Sequence, residues 1–440
     1  MRVLVVWPPH VPSYFNAGHH LPVFMTAQYL RGVEDVEVRT LDAGILDVTW
    51  KQIGEVLCQF QPDVVTVIND FDNVDLLDRL ICYCRELSRD CRVVTGGRLS
   101  ALAPLAFRQF DLDAVVEAGD VELGVASYVA QLSAGGSAPL PGVATRQGER
   151  WVDAAPGARY LPADEWALPD VSEVPYASYE RLSARDQNKF AAIPNRRELA
   201  IPAARGCNLA CSFCDVPLVQ GYRDRRVPVA AVGAYLEQAL AVRPFDYLSF
   251  YAPTFTLDRA WTVELTSMLT NSPARLPWKC ATAMSCLDED LLGLMAKSGC
   301  IRISVGLETL EPAGLDTLPR RKRSGLENFD RLNEAAAAAG IEMNYFVILG
   351  LPGTTTEGGQ ATLDAIAKVG GRARPTVYAS LDRLRGCARK EDLWRFNRQL
   401  FDDDRPAAER DGWYSLFFGP DERVTKVAEN IPVRHGGPGH

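Results

Sequence analysis

Three cysteines carry the strongest chemical signal in this chain. They lie in Arg205-Gly206-Cys207-Asn208-Leu209-Ala210-Cys211-Ser212-Phe213-Cys214, at C-x3-C-x2-C spacing, directly after an apolar run that reads as a strand. Thiolates at this density can surround one soft metal centre. Three ligands would leave one iron of a four-iron cluster without a protein ligand, open to a substrate or cofactor. Structural zinc takes four ligands. No fourth stands nearby, and no histidine occurs between His20 and His435. A zinc-binding module and three inert core thiols are the competing readings. The aromatic Phe213 before the last cysteine and the strand-end position weigh against both.

The 440 residues include 11 cysteines. An odd number over this length is a poor match to a secreted disulfide scaffold. Apolar residues make up 47% and charged residues 23%, an ordinary globular balance with room for two or three domains. The net charge of −9 offers no basic footprint for nucleic acid. No apolar run approaches the ~18 residues of a membrane span. Residues 1–7 are too short for a signal-peptide core. The expected compartment is the cytoplasm, with neither nucleic acid nor membrane as partner.

Strands alternate with helices from the start. Expected strands are 2–7, 36–41, 63–68, 92–95 and 114–117, with helices between them. That order means a doubly wound parallel sheet, whose ligand lies outside the carboxyl ends of the strands. Those ends are Pro8–Tyr14, Asn69–Asn73, Gly96–Ser100 and Ala118–Glu122. In the first of these loops and just after it, His10, His19 and His20 either line a pocket or form a polar surface. Tyr14 and Phe15 could stack on a flat ring or simply close the loop. Residues 133–195 are proline-rich and read as an ordered linker with little regular structure. A second α/β pattern follows, with strands expected at 199–203, 247–251, 278–281, 301–305, 342–349 and 376–380. Six βα units suggest a partial barrel. The 388–440 tail reads as helical, then irregular. Its Trp394, Phe396, Trp413, Tyr414, Phe417 and Phe418 either cap the barrel mouth or form the core of a closing helix. Arg320–Arg323 reads as a solvated basic face, or as a contact for an anionic substrate or a reductase. Cys58, Cys91, Cys280 and Cys300 read as core thiols, and Cys82 and Cys84 point to different helix faces.

On the cysteine motif the chain resembles the radical S-adenosylmethionine (SAM) superfamily. The resemblance implies that Cys207, Cys211 and Cys214 hold a 4Fe-4S cluster. Its open iron would chelate SAM, whose reductive cleavage gives a 5′-deoxyadenosyl radical. Gly299–Thr309 resembles the fourth barrel strand, which lines the adenosine side, and Phe346–Gly353 resembles the fifth strand and its turn. The SAM contacts implied are Phe213, Tyr251, Ala252, Thr254, Thr282, Ser304 and Glu308. There is one departure. Where the family has a glycine-glycine-glutamate motif for the SAM ammonium, this chain reads Ser249-Phe250-Tyr251-Ala252-Pro253-Thr254.

An α/β domain ahead of such a barrel narrows the resemblance to the cobalamin-binding radical SAM enzymes, over about residues 1–385. It rests on Pro8-Pro9, Gly96-Gly97, Phe110–Gly119 followed by Asp120-Val121-Glu122, and the linker's Leu168-Pro169-Asp170 and Val174-Pro175. The cobalamin contacts implied are Pro8, Pro9, Asn69, Asp70, Phe71, Gly96, Gly97, Arg98, Gly119 and Glu122. The D-x-H-x-x-G motif of another cobalamin family is absent. The fold implied is α/β: a doubly wound, Rossmann-like cobalamin-binding domain (1–135), a linker (136–195), a partial (β/α)6 radical SAM barrel (196–387) and a short helical tail (388–440). A methylthiotransferase is disfavoured, because Cys58, Cys82, Cys84 and Cys91 do not reproduce that family's extra cluster ligands. The reaction implied is methylation of an unactivated carbon in a small natural-product intermediate, with flavodoxin or ferredoxin as electron donor. A rearrangement, cyclisation or oxidation without methyl transfer is the alternative, and a non-catalytic metal-binding module is the alternative of another class.

Overall fold

The computed structural model describes residues 1–10, 18–46, 48–88, 90–184, 197–398 and 405–418. Tyr14, Phe15, the end of the linker and the tail beyond 418 lie outside the described residues.

The first sheet begins with β1 (Arg2–Trp7), β2 (Glu37–Asp42), β3 (Val64–Asn69), β4 (Arg92–Gly97) and β5 (Ala114–Val116), paired in parallel in the order β2-β1-β3-β4-β5. Alternating side chains build two cores. Val3, Val5 and Trp7 pack with the helices Leu21–Leu30 and Val121–Ser133. Leu4 and Val6 pack with Trp50–Phe60 and Leu77–Leu87. Period-2 alternation with both faces buried is what a helix-covered parallel sheet requires. The helix Trp50–Phe60 starts on a capping box: Thr49 Oγ1 accepts from the Gln52 N–H, and the Gln52 side chain accepts from the Thr49 N–H. Its inward face is Ile53, Leu57 and Phe60. Cys58 falls off that face and is exposed, so it is not the core thiol its apolar neighbours suggested. The strand order reverses between β1 and β3. The loops leave in opposite directions there and open a crevice above Trp7 and Asn69.

The expected linker is more structured than its prolines suggested. β6 (Val143–Gln147) and β7 (Arg150–Val152) form a hairpin that extends the first sheet antiparallel from β5. The first sheet therefore runs to residue 152, past the boundary expected at 135. Only three residues of β6 are buried, too few to stand out against the surrounding turn residues. A helix, Tyr176–Ala184, follows and places Tyr179 against His20 and Asp42 of the first domain and Tyr176 against Phe245 of the second.

The second sheet is all parallel. It contains β8 (Glu198–Pro202), β11 (Tyr247–Tyr251), β12 (Trp278–Ala283), β13 (Cys300–Glu308), β14 (Glu342–Leu349) and β15 (Arg372–Val377), in that spatial order. A short ribbon, β9 (Ala204–Arg205) with β10 (Arg225–Arg226), brackets the cysteine loop. Asp258, Asp288 and Thr355 cap the helices after β11, β12 and β14 by accepting from the N–H groups of Trp261, Leu291 and Gly358. Each such cap contributes about 1 kcal/mol. The last strand lies four residues before its expected position. Pro375 sits inside it, which an edge strand tolerates because it need not donate outward.

The helix Lys390–Arg398 returns to the first domain. Its Trp394 ring meets Phe110 edge-on at 6.1 Å, and its indole N–H donates to the Val74 carbonyl at 3.4 Å. The helix Ala407–Phe418 buries Trp413 and Phe417 in the main core, where Trp413 packs over Gly359. Trp413 and Phe417 are core residues, Trp394 and Phe396 are half-buried, and Tyr414 is exposed. Among the described residues no helix is long and apolar enough to cross a membrane.

Candidate active site

The cysteine loop leaves β9 at Gly206. This residue has φ +80°, and a Cβ there would meet the Arg223 carbonyl at 2.1 Å, so only glycine fits. Cys207 is buried, and Cys211 and Cys214 are half-buried; all three are free thiols. The Cys214 N–H donates to the Cys211 carbonyl at 3.1 Å, closing the turn between them. The Cys207 sulfur lies 3.6 Å from Thr254 Oγ1, at the end of β11. Burial pushes the Cys214 thiol up to about 11 and raises Cys211 as well, while the Lys322 ammonium pulls Cys211 the other way. Cluster binding must therefore release protons from this loop. Three soft thiol donors on one short loop, none in a disulfide, fit an iron–sulfur cluster.

Lys322 was not singled out from the sequence. Arg320–Arg323 opens a helix, Arg320–Leu326, and Lys322 is its inward residue, 7% exposed. Its ammonium pairs with Glu308 and sits 5.3 Å over the Phe213 ring. Glu308 ends β13 in a left-handed conformation, φ +68°, at a register shift that turns it inward. The helix seats tightly: a Cβ on Gly325 would lie 2.3 Å from the Ser285 backbone nitrogen. The solvated-face reading thus fails at Lys322. The available signal was slight: Lys322 and Gly325 share one helix face at i and i+3.

The remaining candidates fall into two groups. Asn69, Asp70, Gly97, Arg98, Gly119, Glu122, Tyr251 and Ala252 wall one cleft of about 580 Å³ between the two sheets. Pro8, Pro9, Phe71 and Gly96 are set back from its wall, as are Thr282 and Ser304. Thr282 is committed to Thr256, oxygen to oxygen at 2.6 Å. Phe71 lies under the Arg98 guanidinium at 4.9 Å. Asn69 is buried, and its side chain fixes the loop: Oδ1 accepts from the N–H groups of Leu99 and Ser100, and Nδ2 donates to Thr95. Gly97 lets the two strand ends close up, since a Cβ there would lie 2.1 Å from the Asn69 carbonyl.

Two sets of charges lock the cysteine loop to the first domain. Arg98 pairs with Asp215, the residue after Cys214. Arg205, just before the loop, pairs with Glu122 at 2.8 Å and with Asp120 at 3.3 Å. Arg225 reaches Asp120 at 2.6 Å. These cross-domain pairs were not legible in the sequence, because their partners are about 80 to 120 positions apart.

Residues 201–366 match the model of the radical SAM superfamily, a domain that implies a 4Fe-4S cluster and SAM. An uncharacterized methyltransferase of Pyrococcus horikoshii is 24% identical over 380 residues, 84% of this chain and 78% of the relative. The anaerobic magnesium-protoporphyrin IX monomethyl ester cyclase of Rubrivivax gelatinosus is 25% identical over 373 residues, 81% of this chain and 64% of the relative. Among solved structures, the radical SAM methyltransferase TsrM of Kitasatospora setae superposes with a TM-score of 0.67 at 22% identity, covering 86% of this chain and 72% of TsrM. TsrM has also been solved with cobalamin and a 4Fe-4S cluster bound. Residues 201–366 form a radical SAM domain, and over both of its sheets the chain has the fold of TsrM.

Proposed function

We propose that this enzyme methylates an unactivated carbon of a small natural-product intermediate. The observation that carries this reading is the cleft of about 580 Å³ walled by the carboxyl ends of the first sheet and by the segment that follows the cluster cysteines. In this reading Cys207, Cys211 and Cys214 hold the cluster, and Tyr251, Ala252, Thr254, Ser304 and Glu308 lie on the SAM side. Asn69, Asp70, Gly97, Arg98, Gly119 and Glu122 offer cobalamin a glycine-lined edge. Bound at these sites, cluster and SAM would supply a 5′-deoxyadenosyl radical, and cobalamin the methyl group. The chain's own part is placement and exclusion of water. Trp7, Leu21, Met25 and Ile68 give the cleft an apolar wall. Lys322 holds positive charge beside the cysteine loop and keeps Glu308 in place. Arg98 and Arg205 hold the two halves in register. The setting is a reducing compartment with a flavodoxin- or ferredoxin-type donor.

Resemblance to the cyclase favours one second reading, a radical cyclisation or oxidation without methyl transfer. Anaerobic turnover with SAM, cobalamin and reductant separates the two. Methyl transfer yields S-adenosylhomocysteine and 5′-deoxyadenosine in equal amounts per product. The second reading yields 5′-deoxyadenosine alone.

A further inference from the structure

We propose that His10, His20 and Asp72 form a second metal site, for a divalent transition cation of the zinc class, at the carboxyl ends of β1 and β3. His10 Nε2 lies 3.6 Å from Asp72 Oδ2, and His20 Nε2 lies 4.0 Å from the same oxygen. The three ligand atoms all fall within 4.8 Å of one another. These separations are too long for hydrogen bonds, which close to about 3 Å. They are near the ~3.4 Å between two ligands of a tetrahedral ion with bonds of about 2.0–2.1 Å. An ordinary histidine–aspartate network would have contracted. In this same cluster the other His20 nitrogen, Nδ1, does sit 2.8 Å from Asp42 Oδ1.

That second bond is what a metal-binding histidine needs. A carboxylate on one ring nitrogen fixes the tautomer and turns the other nitrogen's lone pair toward the ion. Asp42 is itself held, since its Oδ2 accepts from the Tyr179 hydroxyl at 2.6 Å and its Oδ1 from the Ile45 N–H at 3.2 Å. Packing fixes both rings. Trp7 stacks on His20 with centroids 3.9 Å apart and planes within 5°. The His10 ring lies against Gly44, where a Cβ would come within 2.2 Å of it. The side chains of His10, His20 and Asp72 are 6%, 7% and 16% exposed. Asp72 Oδ1 is buried with no hydrogen-bond partner.

Two imidazoles and one carboxylate suit zinc, cobalt, nickel or iron over magnesium or calcium. The site lies behind Trp7, whose ring also walls the cleft, so a cation here would set that wall. None of its residues belongs to the cysteine loop.

The test titrates cobalt(II), anaerobically, into the full chain carrying Cys207→Ala, Cys211→Ala and Cys214→Ala, which removes the iron background. One equivalent should bind with visible d–d bands and no thiolate charge-transfer band. Zinc should displace it and magnesium should not. Adding Asp72→Asn should abolish the bands, and Asp42→Asn should weaken binding 10–100-fold by releasing His20. Zinc content of the wild-type holoenzyme after dialysis against zinc should show one equivalent beyond the iron. No bound cobalt in the parent chain and no zinc in the holoenzyme would overturn the proposal. So would binding that Asp72→Asn and Asp42→Asn leave unchanged. Neither readout depends on SAM or cobalamin, so failure here is separable from failure of the methyltransferase reading.

Discussion

Replacing Lys322 by methionine strands the Glu308 carboxylate. Both side chains are nearly buried, 8% and 7% exposed. Removing one partner of such a pair costs about 3–5 kcal/mol. The carboxyl has one escape, which is to take up a proton. For an ordinary glutamate that costs about 3.7 kcal/mol at pH 7 and about 1.6 kcal/mol at pH 5.5. The deficit should therefore be about 3–4 kcal/mol at pH 7 and should shrink on acidification. The sign is that of a carboxyl whose folded-state pKa is raised in the variant: stability is retained at low pH and lost as pH rises. For a chain of 440 residues the midpoint moves about 1 °C per kcal/mol, so it should fall by roughly 3–4 °C at pH 7. The assay is anaerobic thermal unfolding of wild type, Lys322→Met, and Lys322→Met with Glu308→Gln, at pH 7.0 and 5.5. The double variant should recover most of the loss. A single variant within about 1 kcal/mol of wild type, a deficit equal at both pH values, or a double variant no better than the single would refute the reasoning.

Three further outcomes follow from the geometry. Cys207→Ala, Cys211→Ala or Cys214→Ala should each lose the brown chromophore and most of the iron, whereas Cys286→Ser, half-buried beside the same loop, should keep both by absorbance and iron analysis. Gly97→Val drives a Cβ toward the Asn69 carbonyl, so cobalamin binding should fall at least tenfold by equilibrium dialysis while iron content is unchanged. Arg98→Met releases Asp215; because Arg98 is 46% exposed, the stability loss should stay near about 1 kcal/mol by denaturant titration, with a larger proportional loss in 5′-deoxyadenosine formation.

Much of this fold is readable from local pattern. β1 and β3 are apolar runs rich in β-branched residues, β4 carries Val93-Val94-Thr95 before its glycines, β14 ends in the apolar Tyr345–Leu349, and the cysteine spacing is local by nature. The parts that escaped depend on distant partners or on phase. The β6–β7 hairpin buries too little apolar surface to stand out from turn residues. β15 holds a proline that only an edge position permits. Cys58 looks buried by its neighbours, yet helical phase turns it outward. Lys322 looks like part of a solvated run, and only the 14-residue return from Glu308 makes it a buried partner. His10 and His20 share the connection after β1, but Asp42, Asp72 and Tyr179 come from three other segments, so no window of sequence contains the cluster they form.

The central claim is that the cleft between the two sheets takes cobalamin beside the cysteine loop. The most direct measurement is anaerobic equilibrium dialysis of hydroxocobalamin against the reconstituted wild-type enzyme, with iron counted in the same sample. The expected result is one cobalamin per chain alongside a full four-iron cluster. A chain that holds its cluster and binds no cobalamin would contradict the account.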